Sequence, residues 1–74
     1  MSTIKDALSS SRWWVGPGTY EPDYRGGPDR LVTWALYAPT GDGSRLVAEF
    51  DSKTLALHIA KLHNRAARAR EVAA

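Results

Sequence analysis

The chain contains no cysteine, only one methionine and one phenylalanine, and no run of apolar residues approaching a membrane span. Without thiols there is no disulfide scaffold, no thiolate zinc site and no cysteine nucleophile. Nothing approaches the roughly 18 apolar residues a transmembrane helix needs. The opening Met1-Ser2-Thr3-Ile4-Lys5-Asp6 lacks the apolar core of a secretory signal, which predicts a cytoplasmic protein. Glycine and proline are missing from residue 44 to residue 74. That silence is as informative as the crowding of both before it, because the two residues punctuate regular structure.

What is present fits one small domain. The 74 residues are 43% hydrophobic and 24% charged, with three Trp and three Tyr. This is a globular composition, and the length leaves no room for a second domain. A chain this short buries only about 60% of the surface it exposes unfolded. Its core is expected to be one thin layer that gains from a partner. The net charge of +2 is unevenly placed: residues 1–51 carry −2 and residues 52–74 carry +4. The basic tail fits cations at the negative end of a helix dipole, or an acidic partner.

Periodicity predicts a short helix over residues 2–10, with Ser2 as its N-cap and Ile4, Ala7 and Leu8 on one side. Arg12 to Val15 is strand-like. Residues 16–29 hold four Gly and three Pro, which predicts a long mobile loop carrying Tyr20 and Tyr24. Arg30 to Tyr37 reads as a central strand, with Val32, Trp34 and Leu36 on one face and Leu31, Thr33, Ala35 and Tyr37 on the other. A hairpin loop over residues 38–44 leads to a third strand, Arg45 to Phe50. Its alternation puts Leu46, Ala48 and Phe50 on one face and Val47 and Glu49 on the other. Asp51 or Ser52 caps a long amphipathic helix to about Val72, with Leu55, Ile59, Leu62, Ala66, Ala69 and Ala73 as its buried stripe. The predicted fold is therefore α+β: α-β-β-β-α, with three antiparallel strands under one long helix. The core expected from it is Trp34, Leu36, Phe50, Leu55, Ile59 and Leu62. Residues 65–74 should overhang the sheet.

No catalytic constellation emerges. His58 and His63 are five residues apart, which points them about 140° apart on a helix rather than at one metal. The carboxylates of Glu21, Asp23, Asp29, Asp42 and Asp51 lie in or beside turns, where Asp is ordinary turn chemistry. Neither Gly-Pro cluster leads into a phosphate loop. The chain reads as a non-enzymatic binding module with no cofactor and no metal. Its expected partner-binding residues are Leu31, Ala35, Tyr37 and Val47 on the uncovered sheet face, beside whichever of Trp13 or Trp14 points that way, with Tyr20 and Tyr24 in the loop. Such a face would be an exposed apolar patch and predicts a protein partner or a homodimer, unless the N-terminal turns cover it through Ile4 and Leu8. In the alternative reading Lys61, Arg65 and Arg68, at i, i+4 and i+7, track nucleic-acid phosphates.

Three resemblances bear on these expectations. Leu46-Val47-Ala48-Glu49-Phe50-Asp51-Ser52-Lys53, followed by Ala56, Ile59-Ala60 and Leu62-His63-Asn64, makes residues 30–64 similar to small orphan accessory proteins of actinobacterial phages. That resemblance implies a protein that binds and modulates a host protein in the infected cell. The β-β-β-α order, with Phe50-Asp51-Ser52-Lys53 and Ala56, also resembles the arm-type DNA-binding domain of tyrosine integrases and its AP2 relatives, which implies DNA contact through the sheet. Here Leu31, Ala35, Tyr37 and Val47 stand where base-reading side chains would be. The full element order is similar to double-stranded RNA-binding domains, whose second helix opens with Ser-Lys-Lys. Ser52 and Lys53 match that opening, while Thr54 and Leu57 stand at the other lysine positions.

Overall fold

A computed structural model describes residues 4–73. The chain runs α1 (Ile4–Ser9), β1 (Trp14–Pro17), β2 (Tyr20–Glu21), β3 (Arg30–Leu31), β4 (Trp34–Thr40), β5 (Gly43–Phe50) and α2 (Lys53–Ala73). The expected Ser2 cap and the side chain of Ala73 lie outside the described residues. Three strands form an antiparallel sheet in the order β1-β4-β5, and β2 pairs with β3 as a separate ribbon. This is the α+β arrangement that the alternation and the long C-terminal periodicity predict.

Several elements begin and end where local chemistry dictates. Gly43, at φ +138°, closes the β4–β5 hairpin in a conformation that excludes most side chains. The strands pair out to Thr40 and Gly43, so the loop is shorter than the composition predicts. Pro39 sits inside β4, opposite Ser44. Ser52 caps α2: its Oγ accepts from the Leu55 amide at 3.2 Å, and its carbonyl accepts the first helical bond, from Ala56. The central strand breaks at Val32 and Thr33, separating β3 from β4. Residues 16–29, expected to hold no regular element, contribute the end of β1 and all of β2, with Tyr20 opposite Leu31 and Glu21 opposite Arg30. An Arg30–Glu21 ion pair of 2.8 Å bridges the ribbon.

The core lies between the sheet and both helices. Ala7, Trp13, Leu36, Ala38 and Ala60 form its buried cluster, with Val15, Val47, Phe50 and Ile59 packed against it. Leu36, 1% exposed, is the one large side chain that is fully enclosed. The buried seam of α2 is Ala56, Ala60 and Ala67, not the expected leucine stripe. Leu55 and Leu62 are exposed, displaced from that seam by roughly a third of a turn at about 100° per residue. The reason is space: with Trp13 and Leu36 already filling the layer, the α2 side chains that become fully enclosed are methyl groups, while Ile59 packs in only partly buried. Trp34, expected at the centre, is half-buried, with the Lys53 ammonium 4.8 Å from its ring centre.

Trp13 is the anchor that joins the chain's two ends. Its indole Nε1 donates to the Ala7 carbonyl at 2.7 Å. Its ring stacks on His63 with centroids 3.4 Å apart and planes 9° apart. Its amide donates to Asn64 Oδ1 at 2.9 Å, and Asn64 Nδ2 donates back to its carbonyl at 3.0 Å. His63 Nε2 lies 2.7 Å from the Ser10 carbonyl, which can only accept, so Nε2 carries the proton. Arg70 reaches the Leu8 carbonyl at 3.2 Å. These contacts dock α1 beside α2, on the same side of the sheet. Burial also continues along α2 to Ala67, inside the stretch expected to overhang.

Candidate functional site

With both helices on one side, the other side of the sheet is open. Alternation from the buried Leu36 and Ala38 turns Ala35 and Tyr37 outward on β4, and pairing then sets their neighbours. Trp14 of β1 lies opposite Tyr37, and Tyr37 lies opposite Leu46 of β5. Trp14, Tyr37 and Leu46 thus form one row across all three strands. The rings of Trp14 and Tyr37 stack with centroids 5.5 Å apart. Trp14 is 42% exposed and Leu46 51%.

Leu46 faces outward because of a register shift between Leu36 and Tyr37. Leu36 pairs with Ala48 while Tyr37 pairs with Leu46, so Val47 is the extra residue of a bulge. The bulge reverses the expected faces: Leu46 leaves the core and Val47 packs against it. Val47, expected in the partner-binding patch, is therefore a core contact, and Leu46 takes its place. A second device flattens the row. The Tyr37 ring lies against Gly16, where an added Cβ would sit 3.2 Å from Tyr37 Cε2, and Tyr37 Oη donates to the Pro17 carbonyl at 3.0 Å. Gly16 thus lets the ring lie flat along β1 with one side outward.

Beside the row the surface turns small, then polar. Gly16, Ala35 and Glu49 are adjacent across the strands, and Ala35 is fully buried there. Glu49 Oε1 accepts from Thr19 Oγ1 at 2.8 Å and from Thr33 Oγ1 at 3.1 Å. The Gly18 amide donates to the Thr33 carbonyl at 3.0 Å, and an added Cβ at Gly18 would collide with the Thr33 hydroxyl. This network ties the root of the ribbon to the open face. Beyond it the ribbon carries Tyr20, which is exposed, and Tyr24, 92% exposed, beside an open depression of about 680 Å³ lined by Glu21, Asp23, Arg25 and Arg30 among others. Leu31 belongs to the ribbon, opposite Tyr20, and not to the three-stranded sheet.

Of the expected partner-binding residues, the structure brings only Ala35 and Tyr37 together on the open face. Tyr20, Tyr24 and Leu31 sit on the ribbon. Of the row's other two members, Trp14 was legible only as one of a pair, since a strand must send Trp13 and Trp14 to opposite faces without local sequence saying which faces out, and Leu46 escaped the sequence reading. Leu46 carried no such signal, because alternation assigns it inward and only the bulge turns it out. Lys61, Arg65 and Arg68 are exposed on α2, and the one ion pair among the described residues, Arg30–Glu21, does not involve them. His63 is committed to Ser10 and Trp13. No group of three His, Asp or Glu among the described residues could hold a metal, and no helix there is long and apolar enough to cross a membrane.

Comparison with known proteins finds no matching family model, no matching curated protein and no matching solved structure.

Proposed function

We propose that this protein is a non-enzymatic binding module that takes a protein partner on its open sheet face. The observation that carries the reading is the row Trp14–Tyr37–Leu46, two stacked aromatics and a leucine held on rigid strands with neither helix over them. Contiguous exposed apolar surface of this kind marks interaction sites. Tryptophan and tyrosine are the side chains most enriched among interface anchors. The likeness of residues 30–64 to phage accessory proteins supports a host protein as the target, in the cytoplasm of an infected bacterium.

The test is affinity capture from an actinobacterial lysate, followed by titration of the purified captured protein with wild type, Trp14→Ala and Leu46→Asp. The expected result is at least tenfold weaker binding for both variants, with circular dichroism unchanged. Equal binding by all three would overturn the reading. A second reading, nucleic-acid binding by Lys61, Arg65 and Arg68, is favoured by the exposure of this stripe, which takes part in no ion pair among the described residues. It requires tight retention on heparin and a DNA affinity that falls steeply with salt. Loss of that retention in a Lys61→Ala/Arg65→Ala/Arg68→Ala variant would assign it to the stripe.

A further inference from the structure

We infer that the exposed flank of α2 is a docking seam for an acidic amphipathic helix of another protein. This surface is separate from the open sheet face, and the inference goes beyond whatever binds there.

The first observation is an apolar stripe that the fold leaves uncovered. Leu55, Ile59, Leu62, Ala66 and Ala69 follow one another at alternating steps of four and three residues, the spacing of a coiled-coil seam. The side chains of α2 that are enclosed are instead Ala56, Ala60 and Ala67. Leu55 is 43% exposed and Leu62 50%, Ala66 and Ala69 are exposed, and Ile59 is half-buried. The stripe is centred about 120° around the helix from the enclosed alanines, at about 100° per residue. From Leu55 to Ala69 it runs about 21 Å, the length of about four helical turns.

The second observation is the charge on its two rims. On the side where α1 docks stands Arg70, held there by its bond to the Leu8 carbonyl. Arg70 and Lys5 line a shallow depression of about 380 Å³ with the exposed Leu8, and no carboxylate lines it. On the other side stands Arg65, with Lys61 and Arg68 farther out, all exposed. Glu71 is the only acid of α2 and projects about 160° away from the stripe. Leucines between two cationic rims complement a helix that carries its apolar residues between two acidic rims.

The same charges select against other occupants. With Ile59 and Ala66 at heptad position a, Arg65 falls at g and Arg70 at e, the positions that set partner choice. A parallel pair of copies would set Arg65 against Arg70, and an antiparallel pair would set each against its own counterpart, so either pairing opposes like charges. A bilayer is disfavoured by the side chains: surface-bound helices present bulky apolar and aromatic residues to lipid, whereas the last part of this stripe is alanine. Alanine adds little area but lets a second helix come close. Duplex DNA would engage Lys61, Arg65 and Arg68 and leave the leucines in water.

The probe is a fluorescein-labelled peptide of about three heptads with Leu at a and d and Glu at e and g, beside a control with Lys at e and g. Fluorescence anisotropy measures its binding to wild type, Leu62→Ser, Arg65→Glu and Trp14→Ala, and thermal melts check each fold. Leu55→Ser replaces Leu62→Ser if that variant melts early. The expected results are binding of the Glu peptide that weakens as salt rises, no binding of the Lys peptide, and a loss of about tenfold or more in Leu62→Ser and Arg65→Glu. Trp14→Ala, on the open sheet face, should bind like wild type. Equal binding of the two peptides, or none of the Glu peptide, would overturn the inference. So would a loss in Trp14→Ala as large as that in Leu62→Ser, which places the peptide on the open face. Displacement of the Glu peptide by duplex DNA with no effect of Leu62→Ser would assign the cations to nucleic acid and overturn it as well. Binding to phosphatidylglycerol vesicles without binding of the Glu peptide would assign the stripe to a membrane, with the same consequence.

Discussion

On the helix side of the sheet the enclosed side chains are mostly small, and the few large ones are each fixed by several partners. On the open side the large side chains lie across neighbouring strands and stay partly exposed, with no helix over them. Ala38 and Ala60 are buried with Trp13, whereas Trp14, the next residue along, is 42% exposed. One strand turn separates these neighbours, and the difference is what lies above them. A tryptophan under a helix is held by Ala7, His63 and Asn64. A tryptophan on the bare face stacks on the Tyr37 ring and stays partly in solvent. The lesson is that size alone does not place a side chain in this fold. The large residues are divided between a layer that holds the monomer together and a layer available to something else.

The largest expected effect tests that division directly. Trp13→Ala removes the indole that α1 hangs from and the ring that stacks on His63. Truncation of a buried aromatic costs about 3–5 kcal/mol, which is most of what a domain of this size possesses. The expected outcome is loss of the cooperative urea transition. Trp14→Ala, on the other face, should retain one. A Trp13→Ala protein that melts like wild type would show that the two faces do not differ in the way described.

Next comes the close approach of α2. Ala60→Leu forces extra volume between Trp13 and Leu36 and should cost about 1–3 kcal/mol. Leu62→Ala, on the exposed flank of the same helix, should cost less than about 1 kcal/mol. Urea denaturation of the pair decides which stripe is buried, and the reverse order would restore the leucine seam. Asn64→Ala strips two hydrogen bonds from the Trp13 backbone and should cost about 1–3 kcal/mol, because half-buried groups lose their partners. Asn64→Asp keeps the acceptor and loses the donor, and should fall between alanine and wild type.

The element order, the hairpin and the limits of α2 were legible in the sequence because they depend on local signals: Gly41-Asp42-Gly43, Ser52, and an uninterrupted helical period. The facing of side chains was not, and the reasons differ by element. In α2 the apolar arc is wide enough to hold both Leu55–Leu62 and Ala56–Ala60–Ala67, and periodicity cannot choose between them. The choice was made by Trp13 and Leu36, which come from elsewhere in the chain. In β5 a single bulge at Val47 exchanges two faces, and nothing in the local residues announces it. Docking of α1 beside α2 depends on His63 and Asn64, whose partners Ser10 and Trp13 lie 53 and 51 residues away, a separation that helical periodicity does not address. The candidate site inherits these limits. Tyr37 and Ala35 follow from alternation along β4, while Leu46 needs the register of the whole sheet.

The smallest expected effect concerns the ribbon, which begins on the open face and leaves it. Its root is bound in: the Gly18 amide on Thr33, the Thr19 amide on Thr33 Oγ1 at 2.7 Å, the Thr19 hydroxyl on Glu49, and the Val32 amide on the Thr19 carbonyl at 2.9 Å. Its tip makes bonds only within itself, through Asp23 to Arg25 and Gly26. Replacing residues 22–27 with a Gly-Ser linker of equal length should therefore shift the stability by no more than about 0.5 kcal/mol, the usual range for surface changes. Extending the replacement back through Gly18 and Thr19 keeps the backbone bonds to Thr33 but removes the Thr19 hydroxyl from Glu49 and the Glu21 carboxylate from Arg30, and should cost about 1 kcal/mol, since each net hydrogen bond contributes on the order of 1 kcal/mol. Thermal melts of the two variants at one fixed concentration measure the difference. Equal losses would mean that Tyr24 or Arg25 supports the fold, and an unaffected longer variant would mean that the Thr19–Thr33–Glu49 network adds nothing to the open face.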